Sequence, residues 1–265
     1  MKTKFLFLPC LALIAAVMSS CEDNGLRQGD PEYWTTSRHQ FTVTLEDGQT
    51  LFLLDNQDGT ATVTFDGSNP RHVTGDVNVN ITTYVDTIVV PQSVTHDGQT
   101  LRVTAVGQEA FMGNRALLRV ELPSSIKSLG EGAFCYCRGL LDVNIPEGIT
   151  EIPSTCFAQC VALDTIILPN SVKTLGKMAF YYCVGVKEMW IGPEVERIGF
   201  NAFFSWKGNI HLACTTPPAL DGALNLAETT PKFYVPAAVL GAYMSAEGWQ
   251  DEYFDEEPEE EEAEL

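Results

Sequence analysis

The sequence is poor in basic residues, with 16 Lys and Arg against 35 Asp and Glu and a formal net charge of −19. Ten of the acidic residues fall between Asp251 and Leu265, where no basic residue occurs, so the rest of the chain is only moderately acidic. Binding to nucleic-acid phosphates needs clustered Lys and Arg, and we expect no nucleic-acid partner. We predict that residues 255–265 form a solvated, disordered tail, because like charges repel one another.

Recognisable catalytic and metal-binding motifs are also missing. The sequence has no Gly-rich phosphate loop, no Gly-x-Ser-x-Gly nucleophile turn and no zinc-protease motif. The segment Asp55–Gly59 resembles a calcium loop only superficially, since a match would place Leu54 at the first carboxylate position. A hairpin turn is the better interpretation of that segment. We therefore predict no enzyme activity, no cofactor and no metal site.

The apolar run from Phe5 to Val17 is too short to span a bilayer as a helix, and Lys2 and Lys4 precede it as in a signal peptide. The following residues, Met18–Cys21, resemble the lipobox of bacterial lipoproteins, in which a Cys is acylated and becomes the new N-terminus. The resemblance implies a signal peptide over 1–20 that is removed, a lipidated Cys21 and a tether over 21–38. Glu22-Asp23, directly after the Cys, resembles the acidic signal that directs some lipoproteins to the outer face of the outer membrane, and implies that location. Plain secretion with a free Cys21 is the alternative.

One pattern recurs five times between Val103 and Leu212. A Phe preceded by a small residue occurs every 23 residues, at Phe111, Phe134, Phe157, Phe180 and Phe203. Aliphatic residues recur at fixed phases around each Phe, and a Gly lies before it in four copies, with Pro153 in its place in the third. Such a period is typical of a solenoid, in which each coil buries its apolar side against the next. We predict one interior row of these five side chains.

Each repeat also has an alternating stretch such as Leu117–Pro123, which is typical of a strand. Stacked coils place these strands in a parallel sheet at about 4.8 Å per coil, so seven strands would span about 29 Å. We predict a short helix or tight turn around each Phe, on the opposite side.

Different patterns flank the repeats. Short strands separated by Asp-Gly turns predict an N-terminal β-meander cap over 39–85. The solenoid follows over 86–217, with a hairpin insertion at Asp97-Gly98 in its first coil. A C-terminal strand-helix cap is predicted over 218–254, because Lys232–Pro236 matches the strand phase and Pro236 opens a helical run to about Trp249.

Three cysteines, Cys137, Cys160 and Cys183, each lie three residues after a repeat Phe. A column at one phase is most simply a packing position, with Cys as a small hydrophobe. Zinc is not expected, since no Cys-x-x-Cys pair accompanies them. Disulfides between adjacent coils remain an alternative in an exported chain, and no role is assigned to Cys135, Cys156 and Cys214.

The segment Val172–Cys183, followed by a hydrophobic strand and in other copies by Leu-Pro or Ile-Pro, resembles the BspA-like leucine-rich repeat. The resemblance covers about residues 86–254. It implies a leucine-rich-repeat solenoid with repeated strand and turn or helix segments, from a cell-surface family associated with adhesion to host or bacterial proteins. The family has no shared catalytic motif, so no catalytic residue is implied.

Alternation within the strands predicts which side chains face outward. One outward column contains Val89, Glu121, Asn144, Ile167, Trp190, Ala213 and Tyr234, with a period of 23 from Glu121 to Ala213. The next contains Thr87, Arg119, Asp142, Thr165, Glu188, His211 and Lys232. Exposed aromatic residues flanked by polar groups are typical of a binding patch. The candidate ligand-binding residues are therefore Ile167, Glu188, Trp190, His211, Lys232 and Tyr234, although packing between neighbouring strands would also explain them.

Together these features predict a non-enzymatic, lipid-anchored surface protein that binds an unidentified host or bacterial surface protein through its sheet face. A carbohydrate-capture module is one alternative, with Trp190 and Tyr234 stacking on sugar rings. A structural envelope protein that binds no ligand is another.

Overall fold

The computed structural model describes residues 39–65, 83–222, 224, 226, 231–249 and 254–256. The chain divides into the units 1–38 and 39–265, and all described residues lie in the second. The predicted signal peptide, Cys21 and the tether therefore lie outside the described residues, as do residues 257–265. The helical segments that the structure describes lack the length and hydrophobicity needed to cross a bilayer.

Three antiparallel strands precede the coils: β1 (Gln40–Thr44), β2 (Thr50–Asp55) and β3 (Thr60–Val63). Their turns contain Gly48 and Gly59, whose φ of 85° and 87° favours glycine. Strand β3 pairs in parallel with β6 (Gln99–Val106), and β6 forms the predicted hairpin with β5 (Ser93–His96). Leu51 and Leu53 of β2 are fully buried, and the predicted β-meander is present; residues 66–82 of the predicted cap lie outside the described residues.

One strand from each coil forms the outer face of the solenoid. These seven strands are β4 (Asp86–Val89), β7 (Leu117–Glu121), β9 (Asp142–Val143), β11 (Thr165–Ile167), β13 (Glu188–Ile191), β15 (Asn209–Leu212) and β17 (Phe233–Val235). They are parallel, as predicted, but form two sheets rather than one, with orders β4-β7-β9 and β11-β13-β15-β17-β18. Strand β18 (Phe254–Glu256) extends into the segment that we predicted to be disordered.

A second set of short parallel strands lies after the outer strands in each coil. It comprises β8 (Ser128–Leu129), β10 (Glu151–Ile152), β12 (Thr174–Leu175), β14 (Arg197–Ile198) and β16 (Ala219–Leu220). The order is β10-β12-β14-β16, whereas β8 pairs with β6. The Gly176 N–H donates to Ile152 O at 2.7 Å, and Pro153 at the equivalent position has no N–H to donate. Pro153 thus accounts for the missing pairing between β8 and β10.

The five repeat phenylalanines form a single interior row, as predicted. Their ring centroids are 5.2, 5.1, 5.4 and 6.4 Å apart in chain order, and neighbouring rings are within 13° of parallel. Each Phe lies in a turn rather than a helix. Residues two before and two after the Phe have positive φ, as at Thr155 (55°) and Gln159 (64°), which interrupts any helix. The turns stack through backbone hydrogen bonds, such as Phe134 N–H to Cys156 O at 2.9 Å.

The C-terminal cap combines β17 with a short 3₁₀ turn (Ala237–Val239) and helix α1 (Leu240–Ser245). The helix ends four residues before Trp249, the end that we predicted, because Ala246 is extended. Tyr243 of α1 is fully buried and donates a hydrogen bond to Cys214 O at 3.1 Å. Burial raises the pKa of the Tyr243 hydroxyl above its ordinary value.

The six described cysteines are unbridged, buried thiols: Cys135, Cys137, Cys156, Cys160, Cys183 and Cys214. The column predicted from the repeat phase is a packing position, where each thiol also donates to the Phe carbonyl of the preceding coil. The distances are 2.9 Å for Cys137, 3.1 Å for Cys160 and 3.0 Å for Cys183. Burial raises the pKa of the Cys160 and Cys183 thiols, so they are held in the unreactive protonated form.

Candidate functional site

The outer face of β11, β13, β15 and β17 brings four of the six candidate residues into one line. The register pairs Ile167 with Trp190, Trp190 with His211, and His211 with Tyr234. We call these four side chains the exposed row. The predicted register, which pairs Trp190 with Ala213 and Glu188 with His211, is wrong, because Trp190 pairs with His211 and Glu188 with Asn209.

The difference arises because the coil containing Phe203 is two residues shorter than the regular 23-residue coils. Met189 pairs with Ile210, 21 residues on, whereas Ile166 pairs with Met189 at the regular 23. The bulky Trp206 lies at the Cys phase of this coil and is fully buried against Phe180 and Phe203. Its indole N–H donates to Gly208 O at 2.9 Å, so it fills the interior next to the shortened segment.

The aromatic members of the exposed row stack on one another. The His211 ring lies between Trp190, at 4.8 Å and 6°, and Tyr234, at 5.0 Å and 17°. Both faces of the imidazole are covered by neighbouring rings, as is one face each of Trp190 and Tyr234. Trp190 nevertheless remains 40% exposed and Ile167 68% exposed, so the row presents apolar surface to solvent. The side chains of the exposed row thus pack against those of neighbouring strands and also remain partly exposed to solvent.

Glu188 holds the centre of the row in place. Its Oε2 lies 2.8 Å from His211 Nε2, and its Oε1 accepts a hydrogen bond from Asn209 Nδ2 at 2.9 Å. A carboxylate bonded at both oxygens has little rotational freedom, so the imidazole orientation is fixed as well. The sixth candidate, Lys232, lies outside this network, since its Nζ is 3.1 Å from Asp255 Oδ2 of β18.

Asn209 was missed as a part of this site. With a constant period, Asn209 appeared to replace the apolar residue found after the Phe in the other copies. The absence of that apolar residue after Gly208 was the signal of a shortened coil. Asn209 instead occupies the position next to Glu188 and supplies its second hydrogen bond.

The N-terminal half of the outer face has a different character. Arg119 and Asp142 form an ion pair at 3.5 Å between neighbouring strands. The Asn144 side chain accepts from Leu122 N–H at 2.6 Å and donates to Leu122 O at 2.8 Å, and so continues the strand pairing beyond β9. A shallow depression of about 380 Å³ lies over these residues. Its lining combines the paired Arg119, Asp142 and Asn144 with apolar side chains such as Val89 and Leu122.

Metal-binding geometry does not occur in the part of the chain that the structure describes, where no three His, Cys, Asp or Glu side chains converge suitably. The hydrogen-bonded Glu188 and His211 side chains support the stacked rings of the exposed row.

The repeat geometry agrees with a comparison against protein-family models. The model described as the BspA type leucine rich repeat region matches residues 102–212 in six copies. This chain belongs to the BspA-type leucine-rich repeat family. Leucine-rich repeat proteins of this family generally act in protein binding.

Solved structures of other leucine-rich repeat proteins are similar to this BspA-type chain. One from Bacteroides capillosus is 32% identical, over 51% of this chain and 86% of that one, with a TM-score of 0.39. A leucine rich cell surface protein from Faecalibacterium prausnitzii is 22% identical, over 78% and 53%, with a TM-score of 0.48. The pneumococcal vaccine antigen PcpA is 19% identical, over 75% and 50%, with a TM-score of 0.54, and this likeness shows the fold alone. The BspA-type chain thus spans about half the length of the last two. None of the curated proteins matches it.

Proposed function

We propose that this protein is a non-enzymatic, lipid-anchored surface protein that binds another protein through the exposed row. The observation that supports the proposal most directly is the contiguous line of Ile167, Trp190, His211 and Tyr234 on an open sheet face. Exposed aromatic and aliphatic side chains surrounded by polar groups are typical of the centre of a protein interface.

Protein is favoured over carbohydrate by the orientation of the rings. An aromatic side chain binds a sugar by offering an open ring face. Here both faces of His211, and one face each of Trp190 and Tyr234, are covered by the stack. His211 therefore offers no ring face to a sugar, and the edges and polar atoms of the stacked rings suit hydrogen bonding and side-chain packing against a polypeptide.

The proposed lipid anchor depends on Cys21, which precedes the described residues in the sequence. Replacing Cys21 with Ser should move the protein from the membrane fraction to the soluble fraction. Recovery of Cys21→Ser in the membrane fraction at the wild-type level would contradict the lipid anchor.

Binding through the exposed row is tested with purified residues 22–265 carrying Trp190→Ala or Tyr234→Ala. Adhesion to immobilised host-matrix proteins and to bacterial-surface preparations should fall at least tenfold in each variant, as expected for loss of a central aromatic contact. Phe200→Ala is the matched control, since Phe200 is 43% exposed but lies outside the row. Equal binding by all three variants and the wild type would refute the proposed surface.

A glycan array run with the same four proteins separates the alternatives. Binding to specific glycans that is lost in Trp190→Ala would favour carbohydrate capture and refute the protein-binding proposal. No binding in either format would leave a structural role as the explanation and would equally refute the proposal.

A further inference from the structure

Two hydrogen-bonding groups of the exposed row remain unused. Among the residues that the structure describes, no acceptor contacts the Trp190 indole N–H and no partner bonds the Tyr234 hydroxyl. Both side chains are held rigidly by stacking on His211. A partner that offers two acceptors at the separation of Trp190 and Tyr234 would satisfy both groups without side-chain rearrangement.

The strand spacing between Trp190 and Tyr234 favours one polypeptide conformation. Their backbones lie two strands apart, about 9.6 Å at about 4.8 Å per strand, and their rings stack along the same direction through His211. A polyproline II helix repeats its carbonyl orientation every three residues, or about 9.3 Å. An extended strand repeats after about 6.7 Å, and two turns of α-helix take about 10.8 Å. The polyproline II repeat gives the closest match.

A polyproline II segment also suits the chemistry of the row. Its carbonyls make no internal hydrogen bonds and are free to accept from Trp and Tyr side chains. Its proline rings pack against aromatic and aliphatic surface of the kind that Trp190 and Ile167 expose. The segment is stiff before binding, so little conformational entropy is lost on a flat sheet that lacks a deep groove.

The charge of the outer face favours a bound segment that carries a basic side chain. Its basic side chains are already paired, Arg119 with Asp142 and Lys232 with Asp255. Glu121, in line with the exposed row, is solvent-exposed and has no ion-pair partner among the described residues. It lies three strands before Trp190, about 14 Å away, which is about one and a half polyproline II turns. A basic side chain at that distance along the segment would reach it.

We propose that the exposed row binds a proline-rich segment in the polyproline II conformation, with Trp190 and Tyr234 donating to carbonyls one turn apart and Glu121 contacting a Lys or Arg. The proposal rests on the proposed function, because it names the partner class for the same surface.

The test uses a fluorescent peptide of four Pro-Pro-Lys triplets and measures its anisotropy with residues 22–265. Two comparison peptides change one property each: Gly replaces Pro in the first, and Glu replaces Lys in the second. We expect saturable binding of the Pro-Pro-Lys peptide and at least tenfold weaker binding of both others. Raising the salt concentration to about 0.5 M should weaken the first interaction, since exposed charges are screened.

Conservative variants report on the individual groups. Tyr234→Phe and Trp190→Phe keep a ring in the stack and remove one donor each, so each should weaken binding about three- to tenfold, the effect of one hydrogen bond. Glu121→Gln should weaken it about two- to fivefold and reduce the salt dependence. Met244→Ala, at an exposed apolar position in α1, should leave binding unchanged. Thermal melting of each variant checks that the fold is retained.

The outcomes separate this inference from the function on which it rests. Equal binding of all three peptides, no detectable binding, or unaltered affinity in both Tyr234→Phe and Trp190→Phe would overturn the polyproline II partner. If Trp190→Ala still abolished adhesion to surface proteins in that case, the binding surface would stand with a different ligand. If Trp190→Ala had no effect on adhesion, the proposed function would fail as well.

Discussion

Replacing Phe157 with Ala should be among the most destabilising substitutions in this protein. The ring is 1% exposed and stacks on both neighbours, at 5.1 Å from Phe134 and 5.4 Å from Phe180, within 4° of parallel. Buried Phe to Ala changes cost about 3–5 kcal/mol, and each lost aromatic contact adds to the packing loss. We therefore expect about 4–5 kcal/mol for Phe157→Ala.

Urea unfolding followed by circular dichroism measures this cost. With an m-value of about 2 kcal/mol/M, the midpoint should fall by about 2 M. Phe203→Ala provides a graded comparison, because Phe203 lies at the end of the row with its Phe neighbour 6.4 Å away, and we expect about 3 kcal/mol. Phe200→Ala, at a partly exposed position outside the interior row of phenylalanines, should lower the free energy of unfolding by less than about 1 kcal/mol.

The location of the damage is as informative as its size. Each coil contacts mainly its neighbours, so hydrogen exchange in Phe157→Ala should accelerate in the adjacent coils more than in the N-terminal meander. A loss below about 1 kcal/mol, or equal losses for Phe157→Ala and Phe200→Ala, would refute the argument that the Phe row stabilises the stack.

Three further outcomes follow from the buried groups and close backbone contacts. The free energy of unfolding should fall above about pH 9, because unfolded thiols ionise there while burial raises the pKa of Cys160 in the folded state. In Cys160→Ala that thiol is gone, so the fall in unfolding free energy should be smaller by about 1.4 kcal/mol per pH unit. Urea unfolding at several pH values measures the slope, and an unchanged slope in Cys160→Ala would contradict this prediction. Gly176→Ala should lower the melting temperature strongly, since the added Cβ would lie 2.5 Å from a backbone nitrogen. Gly241→Ala in α1 is the comparison: no atom lies within 4 Å of the added Cβ, so its melting temperature should be unchanged or slightly higher. Asn144→Ala should cost about 1–2 kcal/mol in urea unfolding through loss of its two hydrogen bonds to Leu122, and an effect near zero would show that water replaces them.

Much of the architecture follows from the repeat alone. The 23-residue spacing of Phe111 to Phe203 predicts stacked coils with one interior row, and the alternation around Val120 predicts the outer strands. Both features depend on local periodicity, which any chain of this pattern must satisfy in order to bury its apolar side chains. The interruption between β8 and β10 could have been anticipated too, because Pro153 lacks the N–H that Gly176 and Gly199 donate.

Which residues are neighbours in the candidate site depends on the register between strands, and the repeat pattern of the sequence did not determine that register. A two-residue shortening after Gly208 leaves every later side chain on the same face of the sheet, because side chains alternate with a period of two. The inward and outward pattern therefore looked regular, although the strand partners of His211 are Trp190 and Tyr234 rather than Glu188 and Lys232. Helix α1 was similarly overestimated, since its end at Ser245 depends on packing of the cap.

The sequence by itself determined that the chain winds into coils, which side chains face the interior and which face solvent, because these follow from periodic burial of apolar groups. Only the tertiary structure decided which outward side chains are neighbours. Neighbours on a solenoid belong to different coils, and their alignment depends on the length of each coil and on interior packing such as that of Trp206.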